Sequence, residues 1–520
     1  MIGGKAMRSD SGRPSRMSFD RPSWLGGFAR RLAWLAVVPA LLMADVAHAA
    51  MISAGPRLPT NIGPPSISPP SMTPPSIGPR TPTLNSVGPR FDPTFRGTPG
   101  GGGFSGPGGD DASSGNPNER RKLSNRTKRQ VTARRTLSGA AGANELRRIP
   151  DEVVFELAGA PSDAQLIGLL NRFRLARLDT RRIGLINTTF YRARILDGTS
   201  VPAKVRALQA NRAVRSAQPN YVFTLTQSAE AAPSAPVAAD PAQYALAKLR
   251  LDEAHGVARG DKMLVAVIDS GIDQNHPALT GVIEKSFDAL GSGEGPHGHG
   301  TAIAGIIAGH ARLTGAAPAV HLLAARAFSA TQGSTISIIA SIDWAVGQGA
   351  RVVNMSFTGP SDPALGRTLA AARQKGVVLV AAAGNAGPKS SPLWPAADPN
   401  VIAVTATDYD DHLFAMANRG SHVAIAAPGV DILVATPGES YKMESGTSFS
   451  AAFVSGVAAL VLERKPQLGP DAVKRVLLST ARDLGPKGRD DQFGAGLMDA
   501  FQAVSTVDKP ADAALQVPAH

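Results

Sequence analysis

There is no cysteine in this 520-residue chain. The absence excludes disulfides and a thiolate nucleophile, and removes the ligand type most typical of structural zinc sites. An apolar run of membrane-spanning length is missing as well: residues 32–43 are apolar but number only about a dozen, too few to cross a bilayer as a helix. That run follows Phe28-Ala29-Arg30-Arg31 and precedes Ala47-His48-Ala49. A basic flank, a short apolar core and a small-x-small site predict an export signal, residues 1–49, cut after Ala49. The mature chain is then expected in a periplasmic, cell-surface or extracellular compartment, with no transmembrane span left.

Acidic residues are scarce where basic ones cluster. The formal charge of +13 originates largely in Arg120, Arg121, Lys122, Arg126, Lys128, Arg129, Arg134 and Arg135. This run reads first as a solvated basic linker, and second as a contact for a polyanion such as nucleic acid or an acidic cell surface. It closes a segment, residues 50–147, that is dominated up to about residue 118 by Pro, Gly and Ser, with a beat in Pro64-Pro65-Ser66, Pro69-Pro70-Ser71 and Pro74-Pro75-Ser76. Such composition buries too little apolar surface to offset chain entropy, so a disordered spacer is expected.

Residues 148–227 change character. A strand is predicted over 153–157, a helix over 162–173 opened by a Ser162/Gln165 capping box, strands over 183–186 and 190–196, a helix from about Ser200, and a last strand ending at Tyr221. The order β-α-β-β-α-β is the ferredoxin-like α+β pattern. Residues 228–239, rich in Ala, Pro and Ser, read as a linker. From 240 to 505 buried-strand patterns alternate with helical ones, which predicts an α/β fold with a parallel sheet covered by helices on both faces; residues 506–520 read as a tail.

Three segments of this last region carry chemistry. The apolar run 263–268 ends in Asp269-Ser270-Gly271, a carboxylate at the end of a buried strand. His297-Gly298-His299-Gly300-Thr301 runs into a small-residue helix with Ala304-Gly305. Gly446-Thr447-Ser448 opens another, placing a serine where helix N–H groups and the dipole favour negative charge. Taken singly, these are a strand-end Asp, a turn His and an N-cap Ser. Together they form a set in which imidazole accepts the serine proton and a buried carboxylate fixes the imidazole. The His-x-His pair could also be read as a fragment of a metal site, but the chain has no cysteine and offers no convincing third ligand nearby.

All three segments resemble the motifs of the subtilisin-like serine peptidases, in which the order is also Asp, His, Ser. The resemblance covers about 240–504 and implies catalytic roles for Asp269, His299 and Ser448, with His297 left as a solvated loop residue. It implies that Asn385, in Gly384-Asn385-Ala386-Gly387, supplies one oxyanion donor and the Ser448 N–H the other. It implies that Ser356, Phe357 and Thr358 pair with an extended peptide, and that Ala382, Ala383 and Gly384 wall the pocket before the scissile bond, with Leu393 near its floor. A peptide or protein substrate follows. Residues 148–227 resemble the propeptide of the family, an intramolecular chaperone and inhibitor, so self-cleavage between about Tyr221 and Tyr244 is expected. Two departures stand out. Residues 306–317 contain no Asp, Glu, Asn or Gln, so the common calcium loop is expected to be missing and neither metal nor cofactor is assigned; Ala452 stands where the family usually has proline. The rival reading is a catalytically silent scaffold used for binding, which would have no physical need for Asp269, His299, Asn385 and Ser448 together.

Overall fold

The computed structural model describes residues 145–226 and 243–507. The expected export signal, nearly all of the expected spacer, the linker and most of the tail lie outside the described residues.

The first described part is a small α+β lobe. Its elements are β1 (Arg148–Leu157), α1 (Asp163–Arg172), β2 (Leu175–Ile183), a 3-10 turn (Gly184–Ile186), β3 (Thr188–Ile195), α2 (Val201–Gln209) and β4 (Val214–Leu225). The sheet order is β2-β3-β1-β4, antiparallel at each pairing. At the start of α1 the Ser162 hydroxyl accepts from the Gln165 N–H while the Gln165 side chain accepts from the Ser162 N–H, satisfying two donors that the first helical turn leaves unpaired. Period-2 alternation divides the sheet's side chains. Val153 and Phe155 pack under the two helices with Leu166, Leu169, Val205 and Leu208, whereas Val154, Phe190 and Tyr221 face the larger part of the molecule.

Two expectations need correction. The strand predicted over 183–186 lies earlier, as β2, and residues 184–186 form the 3-10 turn. β2 is an edge strand whose side chains, Arg177, Asp179, Arg181 and Arg182 among them, are largely outside the core, so it has no apolar run to betray it. The last strand also does not stop at Tyr221; β4 continues to Leu225.

The larger part begins with α3 (Tyr244–Leu249) and α4 (Leu251–His255), followed by β5 (Leu264–Asp269), β6 (Ile283–Asp288), α5 (Gly298–Ala308) and β7 (His321–Arg326). The short strands β8 (Phe328–Ser329) and β9 (Gln332–Ser334) come next, then α6 (Thr335–Gly347), β10 (Val352–Met355), β11 (Phe357–Thr358), α7 (Pro363–Gln374), β12 (Val378–Ala382), β13 (Ile402–Thr407) and β14 (Val423–Pro428). A hairpin of β15 (Ile432–Thr436) and β16 (Ser440–Glu444) precedes α8 (Thr447–Arg464), α9 (Pro470–Ser479) and α10 (Ala500–Thr506). The main sheet, β14-β13-β12-β10-β5-β7-β6, is parallel throughout.

Alternation again sorts the strands. Val265 and Val267 pack with residues of α5 and α8, whereas Ala266 and Ile268 pack with residues of α6 and α7. Helices therefore cover both faces, as parallel strands require. α8 is buried from Thr447 to Leu462, which explains why its sequence is apolar and small on every side rather than amphipathic.

The lobe sits on α6 and α7. Asp343 accepts from the N–H groups of Gly184 (3.1 Å) and Leu185 (2.7 Å), Arg367 pairs with the buried Glu156, and Gln218 bonds at the start of α7. Beyond this contact β4 runs antiparallel to both β9 and β11, with Phe223 opposite Gly333 and Leu225 opposite Phe357.

Candidate active site

Asp269 ends β5 and is fully buried. Its Oδ1 accepts from the Ser270 N–H at 2.7 Å and meets His299 Nδ1 at 2.7 Å. On the other side of the ring, His299 Nε2 lies 3.1 Å from Ser448 Oγ. The three residues come from β5, α5 and α8, and each stands at a strand end or in a first helical turn at the carboxyl edge of the sheet.

Local sequence explains the placement. The N–H of Gly300 donates to Ser270 Oγ at 3.1 Å, and a Cβ on Gly300 would stand 2.7 Å from the Ser270 carbonyl. Only glycine lets α5 approach β5 closely enough for His299 to reach Asp269. His297 is half-buried rather than a solvated loop residue: it is the N-cap of α5, its Nδ1 accepting from the His299 N–H at 3.2 Å and lying 3.2 Å from Ser270 Oγ. Its residue type hid this role, because histidine is not among the usual N-caps. Burial pushes its pKa below the usual histidine range; the Asp269 carboxylate opposes the shift, and the charges of His299, Lys442 and Arg326 add to it.

Asn385 follows the end of β12. Its Oδ1 accepts from Thr447 N (3.1 Å) and Thr447 Oγ1 (2.8 Å), which fixes the amide so that Nδ2 points into the cleft. Thr447 Oγ1 accepts in turn from the Gly384 N–H at 3.1 Å. The sequence marks Thr447 only as the middle of the Gly446-Thr447-Ser448 motif, and nothing in that pattern discloses that its N–H and hydroxyl hold the Asn385 amide. Nearby, Asn354 Nδ2 donates to Ser356 Oγ and Ser356 Oγ donates to the Ser448 carbonyl, tying β10 to the first turn of α8.

The cleft is filled by the chain itself. Asn385 Nδ2 donates to the Thr226 carbonyl oxygen at 3.1 Å, and Ser448 Oγ lies 2.8 Å from the same oxygen. The Thr226 N–H donates to the Ser356 carbonyl at 3.2 Å, and the Thr226 hydroxyl donates to that carbonyl at 3.0 Å and lies 2.7 Å from Ser448 Oγ. Phe357 and Thr358 form β11, the strand that pairs with Leu225 and Thr224. Ala383 and Gly384 lead into Asn385; Gly384 has φ +113° and faces Leu393 and Asn418, while the polar contacts of the Thr226 side chain go to Ser356 and Ser448 instead. Upstream, the Phe223 ring meets Phe357 edge-on at 6.0 Å and covers Gly359.

Among the described residues no group of three or more His, Cys, Asp or Glu is arranged to hold a metal ion. Of the acids at 408–411, Asp411 is held by Lys248 and Arg482, and Asp408 Oδ1 accepts from the N–H groups of Asp410 and His412.

Comparison with known proteins agrees with this architecture. Residues 260–496 match the Subtilase family. A thermophilic serine proteinase of Bacillus sp. (strain AK1) is 37% identical over 321 residues, 60% of this chain and 78% of that protein. Thermitase of Thermoactinomyces vulgaris is 33% identical over 271 residues, 50% of this chain and 95% of its own length. In fold, the chain resembles fervidolysin from Fervidobacterium pennivorans, a keratinolytic enzyme related to subtilisin, with a TM-score of 0.59 at 24% identity over 70% of this chain and 62% of that one. Fold and relatives define a serine endopeptidase. The chain belongs to the subtilase family.

Proposed function

We infer that this chain is an exported endopeptidase that hydrolyses peptide bonds through an acyl-enzyme on Ser448 and is made as a self-processing zymogen. His299 takes the Ser448 proton and returns it to the leaving amine. Asp269 holds His299 in the tautomer with Nδ1–H and stabilises the imidazolium. Asn385 Nδ2 and the Ser448 N–H stabilise the oxyanion. Ser356, Phe357 and Thr358 hold substrate as an added strand, while Ala383 and Gly384 wall the pocket. The lobe acts as an intramolecular inhibitor, and residues 28–49 support export.

The single observation that carries this reading is the Thr226 carbonyl, lying between Ser448 Oγ and Asn385 Nδ2 while His299 stands behind Ser448. A peptide bond entering the cleft in this manner is presented to a nucleophile, a base and an oxyanion donor at once. To test it, wild type and Ser448→Ala protein are compared for hydrolysis of casein and for labelling by a fluorophosphonate. Hydrolysis and labelling in wild type alone are expected; equal behaviour of the two would leave a silent scaffold.

A further inference from the structure

We propose that the chain cuts itself on the carboxyl side of Thr226, and that docking of the lobe, rather than the identity of residue 226, selects this bond. The proposal rests on the self-processing reading above and specifies its position.

Two constraints fix the register. Upstream, the lobe is anchored by Gln218 at the start of α7, by Glu156 with Arg367 and by Gly184 and Leu185 with Asp343. From Gln218 onward β4 is continuous strand to Leu225, so there is no slack between anchor and cleft. Downstream, Phe223 faces Gly359, where any Cβ would stand 2.2 Å from the ring. A one-residue slip would turn every side chain to the opposite face and expel Phe223 from this position. A two-residue slip would pull the lobe off its anchors. The carbonyl delivered to Ser448 is therefore that of Thr226.

The step balances with water as the only co-reactant. Ser448 Oγ adds to the Thr226 carbonyl carbon as its proton passes to His299 Nε2, and the negative oxygen is held by Asn385 Nδ2. Collapse breaks the bond to the nitrogen of residue 227, which leaves with the proton from His299. Water then attacks the Thr226–Ser448 ester, giving a proton to His299; Ser448 Oγ departs and regains it. Thr226 is left with a free carboxylate. Its hydroxyl, which donates to the Ser356 carbonyl and lies against Ser448 Oγ, keeps this new terminus in the cleft as a product inhibitor.

The experiment follows full-length wild type, Ser448→Ala and Thr226→Val proteins by intact mass and terminal sequencing. Wild type is expected to give one fragment ending at Thr226 and a second beginning at Gln227, and Ser448→Ala to stay whole. Thr226→Val is expected to be cut after residue 226 as well, because the lobe sets the position, but to release its fragment faster. A Ser448-dependent cut at another bond, no cut in protein that hydrolyses casein, or a cut that moves in Thr226→Val would overturn the proposal while leaving the peptidase reading intact. If wild type neither cuts itself nor hydrolyses casein, and takes no fluorophosphonate after brief trypsin nicking, both fall together.

Discussion

Gln218 and Asp362 share the capping of one helix: Gln218 Nε2 donates to Asp362 Oδ1 at 2.8 Å, and Gln218 Oε1 accepts from the Ala364 N–H that Asp362 also caps. The helix is α7 of the peptidase core, and the glutamine belongs to the lobe. Asp362 is only 3% exposed, so its carboxylate is solvated by Gln218, Thr335 and two backbone N–H groups rather than by water. Undocking the lobe removes one of these donors.

The first prediction follows from that contact. Gln218→Ala deletes a hydrogen bond to a buried carboxyl group, a loss of about 1–3 kcal/mol, or about 5- to 150-fold in lobe binding. Active enzyme should appear sooner after the cut, while kcat of the matured enzyme is unchanged because residue 218 leaves with the lobe. A time course of casein hydrolysis, with the active fraction titrated by fluorophosphonate, would read both.

Substitution of Asn385, the proposed oxyanion donor, is the second. Asn385→Ala should lower kcat by about 10²–10³-fold with KM little changed, because the bond is strongest to the developing oxyanion. Thr447→Val should move kcat the same way by less, since it removes only the hydroxyl that holds the Asn385 amide in place. Steady-state kinetics on a chromogenic peptide separate the two terms, and a rise in KM alone in either variant would argue against the assignment.

The division between what the sequence discloses and what it hides follows from the range of the interactions. Asp269, His299 and Ser448 are each flagged by their own neighbours, a buried strand before one and small-residue helices after the others, so local pattern suffices. β2 escaped because Leu175-Ala176-Arg177-Leu178-Asp179 has no uninterrupted apolar run and the strand lies at an edge. The end of β4 escaped because Pro219-Asn220-Tyr221 looks like a terminus; in the structure Asn220 donates to the buried Glu152 and the strand continues. Asp343, Asp362 and Arg367 gave no signal at all, since their partners Gly184, Gln218 and Glu156 lie more than 100 residues away.

His297 makes the third prediction, one of pH. As an N-cap its Nδ1 must accept from the His299 N–H, which only the neutral ring can do. Its folded pKa is depressed below the ordinary histidine value of about 6.5, with burial the first cause. The folded state thus binds fewer protons than the unfolded one, so stability from this group is complete above the ordinary value and is lost as pH falls through the depressed folded value. His297→Asn keeps an acceptor that does not titrate in this range. Thermal melts of Ser448→Ala and of His297→Asn/Ser448→Ala from pH 8 to pH 5 should show the first losing Tm more steeply; parallel curves would rule out the cap as the titrating element.

The last prediction concerns Gly359, whose N–H and carbonyl both bond to the backbone of Trp394. A methyl group there would stand 2.2 Å from the Phe223 ring, while the backbone has no left-handed torsion that would itself demand glycine. Gly359→Ala should therefore fold but reject the tail of its own lobe, slowing self-cleavage at least tenfold, while short substrates with a small residue three positions before the scissile carbonyl are hydrolysed as by wild type. The double variant Gly359→Ala/Phe223→Ala removes the clash and should recover much of the rate, although truncating a buried phenylalanine itself costs about 3–5 kcal/mol of packing. Cleavage rates from intact mass across the four proteins of this cycle give the coupling directly. Additive effects would mean that Phe223 does not reach Gly359 when the bond is cut.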